Sequence, residues 1–123
     1  NGLYRDAAKS IVVDTRTGLV WQDDAVGSTM NWATAITTCE NLTLGGYADW
    51  RLPNINELKS IRDMSRSSPA IDTTFVNTAS NYYWSSTTYV AGTTFAWDVL
   101  FDNGYVDGYD KTNSYYVRCV RGN

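Results

Sequence analysis

The chain has 123 residues and a formal charge of −3, from 10 Lys and Arg against 13 Asp and Glu, and it contains no histidine. That length suits one domain with a real core, so 1–123 is read as a single unit. Scattered cations and a negative balance disfavour nucleic acid and strongly anionic polymers as partners, and no apolar run approaches the ~20 residues that span a bilayer.

The opening residues, Asn1 to Asp6, do not resemble a secretion signal, so a mature or excised domain is expected. Ile11-Val12-Val13 and Leu19-Val20-Trp21 flank Asp14-Thr15-Arg16-Thr17-Gly18. Short β-branched and aromatic runs around an Asp-to-Gly turn predict a hairpin with Gly18 as its left-handed residue. Residues 22–29 are polar and aperiodic, hence a loop, with Asp23 and Asp24 expected in solvent. From Asn31 the spacing of Trp32, Ala35, Ile36, Cys39 and Leu42 predicts a helix with Asn31 or Thr29 as its cap and Cys39 facing inward.

The hub of the chain is Gly45-Gly46-Tyr47-Ala48-Asp49-Trp50-Arg51-Leu52-Pro53-Asn54-Ile55-Asn56-Glu57-Leu58. Gly45 and Gly46 suit a left-handed helix C-cap, Pro53 keeps Leu52 extended, and Asn54 with Glu57 three residues on is a capping signature. A second helix therefore starts near Ile55, carries Leu58, Ile61 and Met64 inward, and ends between Ser65 and Pro69. Asp49 and Arg51 flank Trp50 as an acid and a base able to tie loop and strands together by charge-assisted hydrogen bonds. Losing either is expected to lower stability if the charges are buried.

Residues 70–80 read as a packed loop anchored by Ile71, Phe75 and Val76. After it the period becomes two. Tyr83-Trp84-Ser85-Ser86-Thr87 is a strand, and Phe95, Trp97, Val99 and Phe101 form the core face of the next, alternating with Ala96, Asp98 and Leu100. Asp102-Asn103-Gly104 is a hairpin turn into Tyr105-Val106-Asp107. Residues 108–114 read as a loop, and 115–120 as a last strand with Tyr115, Val117 and Cys119 on one face.

The two cysteines, Cys39 and Cys119, fit a disulfide better than a metal site, which needs more ligands at closer spacing. Closing so long a loop contributes on the order of 4–5 kcal/mol in the chain-entropy model, and a disulfide points to an oxidising compartment. Hairpin, two helices, then an antiparallel sheet returning to the N-terminal strand gives an α+β class: two helices packed on a twisted antiparallel sheet with N- and C-terminal strands paired. This is the plan of the C-type-lectin-like fold.

With Asp14-Thr15-Arg16-Thr17-Gly18-Leu19-Val20-Trp21, the helix with Trp32 and Ala35, the hub from Gly46 to Pro53 with Glu57-Leu58, Ile71-Asp72, Phe75, Tyr83-Trp84-Ser85-Ser86-Thr87, Ala96-Trp97, Phe101 with Gly104, and Tyr115-Tyr116-Val117-Arg118-Cys119-Val120-Arg121, the sequence resembles the C-terminal domain family of the Legionella collagen-like adhesin. The resemblance covers nearly the whole chain. It implies a bacterial, secreted or cell-surface recognition and adhesion domain of C-type-lectin-like fold, borne on a stalk, fibre or pilin-like segment, and not an enzyme. Sulfated glycosaminoglycan is the ligand class associated with the founding adhesin, and the acidic balance here argues against it. The Glu-Pro-Asn, Gln-Pro-Asp and Trp-Asn-Asp motifs of calcium-dependent sugar lectins do not occur in this chain.

Catalysis finds no support in the residues. Ser85 and Ser86 lack a histidine, and the capping role already accounts for Glu57. The face and loops of the late strands are the candidate binding surface for a glycan or protein: Tyr89, Asp98, Asn103, Tyr105, Asp107, Tyr109, Asp110, Lys111 and Asn113. Tyr gives rigid amphipathic contact area, and Asp, Asn and Lys adaptable polar contacts. No cofactor is expected; calcium held by Asp102, Asp107 and Asp110 is the alternative to solvated turn acids. Asp49, Trp50, Arg51, Pro53 and Glu57 are read as structural. The alternative function is a structural head domain that self-assembles into a filament or trimeric fibre.

Overall fold

The computed structural model describes residues 2–122, so Asn1 and Asn123 of the expected 1–123 unit lie outside the described residues. The predicted hairpin forms from β2 (Ile11–Asp14) and β3 (Leu19–Gln22), with Gly18 at φ 77°. An unforeseen strand, β1 (Leu3–Asp6), pairs with the outer side of β2. Helices α1 (Trp32–Glu40) and α2 (Ile55–Ser60) follow. Then come β4 (Tyr82–Thr88), β5 (Phe95–Leu100), β6 (Tyr105–Asp110) and the short β7 (Val120–Arg121). The architecture is α+β with two antiparallel sheets, ordered β1-β2-β3-β7 and β4-β5-β6.

Two details of the expected sheet change. There is no single sheet, and the last strand pairs with β3, not with the first strand, Val20 opposite Arg121 and Trp21 opposite Val120. The expected final strand over 115–120 is mostly irregular. Its residues bridge one neighbour after another: Tyr115 to Met30, Tyr116 to Tyr83 and Val120 to Arg51. A segment that must touch both sheets in seven residues cannot stay in register with either.

This crossing segment explains why β3 and β4 are apolar on both faces. One core cluster joins Val12, Trp21, Leu58, Ile61, Phe75, Tyr83, Val99 and Phe101. The other joins Ile11, Val20, Ala35, Cys39, Trp50, Trp84, Ala96 and Cys119 under α1. Consecutive residues such as Tyr83 and Trp84 thus point into different cores, and consecutive apolar residues are what a strand covered on both sides requires.

In the hub, Asn54 Oδ1 accepts from the Glu57 N–H at 2.8 Å and Glu57 Oε1 accepts from the Asn54 N–H at 2.9 Å, the predicted capping box. Gly45 and Gly46 have the expected positive φ, 63° and 84°, but they do not cap α1, which ends at Glu40 with Asn41 as its cap. They form a two-residue reversal across which Leu44 and Tyr47 exchange both backbone hydrogen bonds at 3.0 Å, and the Trp50 indole donates to both of those carbonyls. Helix α2 stops at Ser60, earlier than its apolar spacing predicts, because the Asp63 N–H turns to the Ala70 carbonyl at 3.0 Å and leaves Met64 57% exposed. Val76 is likewise exposed, whereas Ile71 and Phe75 are buried anchors as expected.

Asp49 and Arg51 do not act on each other. Asp49 pairs with Arg121 at 2.6 and 2.9 Å, and its side chain is 63% exposed. Arg51 makes a bidentate pair with Glu57, both contacts at 2.7 Å. Burial works against the Glu57 charge, yet Arg51 and the Asn54 N–H hold its carboxyl below the usual carboxylate range. The triplet is structural, with its two charges serving different elements.

Cys39 and Cys119 form the expected disulfide, with Cα atoms 5.4 Å apart and 80 residues between them in sequence. Replacing Cys39 by Ser should lower stability by about 2–4 kcal/mol, read from the melting temperature. Alkylation without reductant should leave the wild-type intact mass unchanged; two alkylated thiols would contradict the bridge.

Candidate functional site

Strand β5 is the centre of the second sheet, so its side chains decide what each face presents. Its register sets Trp97 opposite Gly108 and Val99 opposite Val106, and on the other face Asp98 opposite Asp107 and Ala96 opposite Tyr109. The first face is core only at one end. Val99 and Phe101 are buried, but Phe95 is 38% exposed and Trp97 is half-buried. The expectation that all four are core fails because the strand outruns the layer beneath it.

The uncovered end forms an open groove of about 260 Å³ lined by Tyr89, Phe95, Trp97, Val106, Asp107 and Gly108. The turn after β4 returns Tyr89 over the sheet, where its N–H bonds the Phe95 carbonyl at 2.9 Å and its ring meets Trp97 edge to face at 4.8 Å between centroids. A Cβ at Gly108 would lie 3.5 Å from the Tyr89 ring, an ordinary van der Waals contact, so alanine fits there and only a larger side chain would push the ring away. No Lys or Arg lines the groove.

The opposite face is a tyrosine cluster. Tyr82 packs on Tyr109 at 4.9 Å and on Tyr115 at 5.1 Å, Tyr115 packs on Trp84 at 4.9 Å, and the Tyr82 and Tyr109 hydroxyls are 2.9 Å apart. Under it lies Asp98, fully buried, with neither carboxylate oxygen hydrogen-bonded. Burial first, and then the charge of Asp107, push its pKa up to about 8.

A family model described as the Lcl C-terminal domain matches residues 10–121. The chain belongs to the Lcl C-terminal domain family. That is the resemblance read from the hub and strand motifs, and membership points to recognition at a surface. Comparison with curated proteins gave no match. Among the described residues of this Lcl C-terminal domain, no helix is long and apolar enough to cross a membrane.

The structure separates the candidate residues of this family member into three groups. Tyr89 and Asp107 line the groove. Tyr109 belongs to the tyrosine cluster, and Asp98 lies beneath that cluster and offers no surface contact. The rest sit in or beside turns. Asn103 accepts from the Tyr105 N–H at 3.0 Å, with Tyr105 itself 62% exposed; Asp110 accepts from Thr112; and Asn113 donates to the Tyr115 hydroxyl. Lys111 donates to Thr88 Oγ1 and the Thr93 carbonyl, and its ammonium sits 4.0 Å from the Trp32 ring centroid. Asp102 accepts from Ser68, and among the described residues no three His, Cys, Asp or Glu side chains converge, so Asp102, Asp107 and Asp110 do not meet at one point. Sequence reasoning missed Phe95, Trp97, Val106 and Gly108 as groove residues. The one available signal was Gly92 and Gly108 on either side of Phe95 and Trp97, which marks a thin end of the sheet.

Asp23, expected in solvent, is 1% exposed and organises a second polar centre. Its carboxylate accepts from Arg5 Nε at 2.7 Å, Arg118 at 3.1 Å and the N–H groups of Val76 and Asn77 at 3.0 and 3.1 Å. Arg118, 3% exposed, also donates to the Gln22 and Asn77 carbonyls and Thr78 Oγ1, and lies over the Phe75 ring. Every acceptor site of Asp23 is filled from within, so this centre is structural.

Proposed function

We propose that this domain is a non-catalytic extracellular recognition module of C-type-lectin-like fold that binds a glycan through the groove on β5 and β6. The observation that carries the reading is the set of three aromatic rings, Tyr89, Phe95 and Trp97, at an open sheet end. Ring faces stack on the C–H faces of a sugar with little entropy to lose. With no cation in the lining, neutral glycans fit better than sulfated ones. The disulfide supports an oxidising location.

A glycan array run with and without calcium should find neutral ligands. For such a ligand, Tyr89→Ala and Phe95→Ala should each weaken binding by about 1–3 kcal/mol while moving the melting temperature little. Normal binding by both variants would move recognition elsewhere. Concentration-dependent self-association that is lost in the same variants would instead support the alternative, a structural head that packs against copies of itself in a filament or trimeric fibre.

A further inference from the structure

Asp98 is the group the recognition reading leaves unused, and its position is expensive. A buried carboxylate needs a cation, hydrogen bonds or a proton. Among the described residues no hydrogen bond reaches either oxygen and no salt bridge includes Asp98. Opposite it on β4 is Trp84, whose indole N–H goes to the Met30 carbonyl, and the titratable groups around it are Tyr82 from β4, Asp107 and Tyr109 from β6, and Tyr115 from the crossing segment. All four are acids or phenols, so the remaining way to keep Asp98 buried is to keep it protonated. Opposite it on the same face, Asp107 is half-buried. Like charges directly across a strand pair are destabilising, so the register of β5 on β6 is compatible with one ionised carboxylate there and opposed by two.

We propose that Asp98 is a pH sensor that holds β5 against β6 while it carries its proton, and that giving this proton to solvent lets the second charge drive the 98/107 pair apart and open the tyrosine cover. Because Asp107 lies between Val106 and Gly108, which line the groove from the other face of β6, opening in mildly alkaline solution alters the recognition face. That last consequence rests on the recognition reading; the structural transition does not.

Burial, which stands first, is also what puts the Asp98 titration at about 8. Hydrogen bonding to Tyr109 raises Tyr82, and burial raises Tyr115, both above the ordinary phenol value. The transition is therefore separable from tyrosine ionisation. A near-UV circular dichroism titration of the whole domain, with no ligand present, should show a change in the tyrosine band between pH 7 and 9, accompanied by shifts of the Val106 to Tyr109 amide resonances. Asp98→Asn, of equal shape and without charge, should abolish it. Asp107→Asn should keep it but move its midpoint to lower pH, because one cause of the raised titration is gone. A flat wild-type titration over that range, an undiminished transition in Asp98→Asn, or a midpoint that does not move in Asp107→Asn would overturn the proposal. Absence of any glycan ligand would count against the recognition reading alone.

Discussion

Asp23→Ala should lower stability by about 3–5 kcal/mol, the range for breaking a buried pair by removing one partner. At this chain length that is roughly 10–20 °C in melting temperature. The cost follows from what the alanine leaves behind. Arg118 would keep its charge in a nearly sealed site, and the Val76 and Asn77 N–H groups would lose the acceptor that holds the 75–78 turn against β3. Arg5→Ala removes only the outer partner, whose side chain is 22% exposed, and should cost clearly less. Thermal unfolding of the two variants checks the ordering. Equal, small effects would mean the centre is solvated in solution.

The second large effect has the opposite sign. Asp98→Asn should stabilise the domain at neutral and alkaline pH. A carboxyl whose folded pKa is raised from 3.8 to about 8 binds its proton more tightly folded than unfolded, so stability declines as pH rises across that window and levels off above it. Each unit of pH within the window is about 1.4 kcal/mol. The wild type therefore carries a penalty on the order of 4 kcal/mol at pH 7 that Asn removes. The difference in melting temperature between variant and wild type should be near zero at pH 4, grow to pH 8 and then stay constant. A difference independent of pH would show that Asp98 does not titrate out of the ordinary range.

These two acids mark where the sequence stops being readable. The hairpin at Gly18, the Asn54–Glu57 capping box, the inward Cys39 and the Asn103-Gly104 turn depend on residues close in sequence, and each appears as local chemistry predicts. Asp23 looks like a loop acid because its partners come from residues 5, 76, 77 and 118, which no local pattern connects to it. Asp98 looks like the solvent side of an alternating strand, since alternation assigns faces without saying whether the second is covered. The cover is the irregular 115–121 segment, whose path is set by three tertiary bridges. The groove was hidden for the converse reason: Phe95 and Trp97 alternate like core residues, and only the finite reach of the layer beneath leaves them open.

The pairing of β3 with β7 also bears on how the molecule is made. The Trp21 partner is Val120, and the Cys39 partner is Cys119, so the first sheet and the covalent link both wait for the far end of the chain. Contacts this distant in sequence are slow to form. Cys39 must therefore remain a free thiol until the segment carrying Cys119 has been made. Within this domain it has one possible partner. Oxidation inside the domain therefore involves no shuffling among its own cysteines.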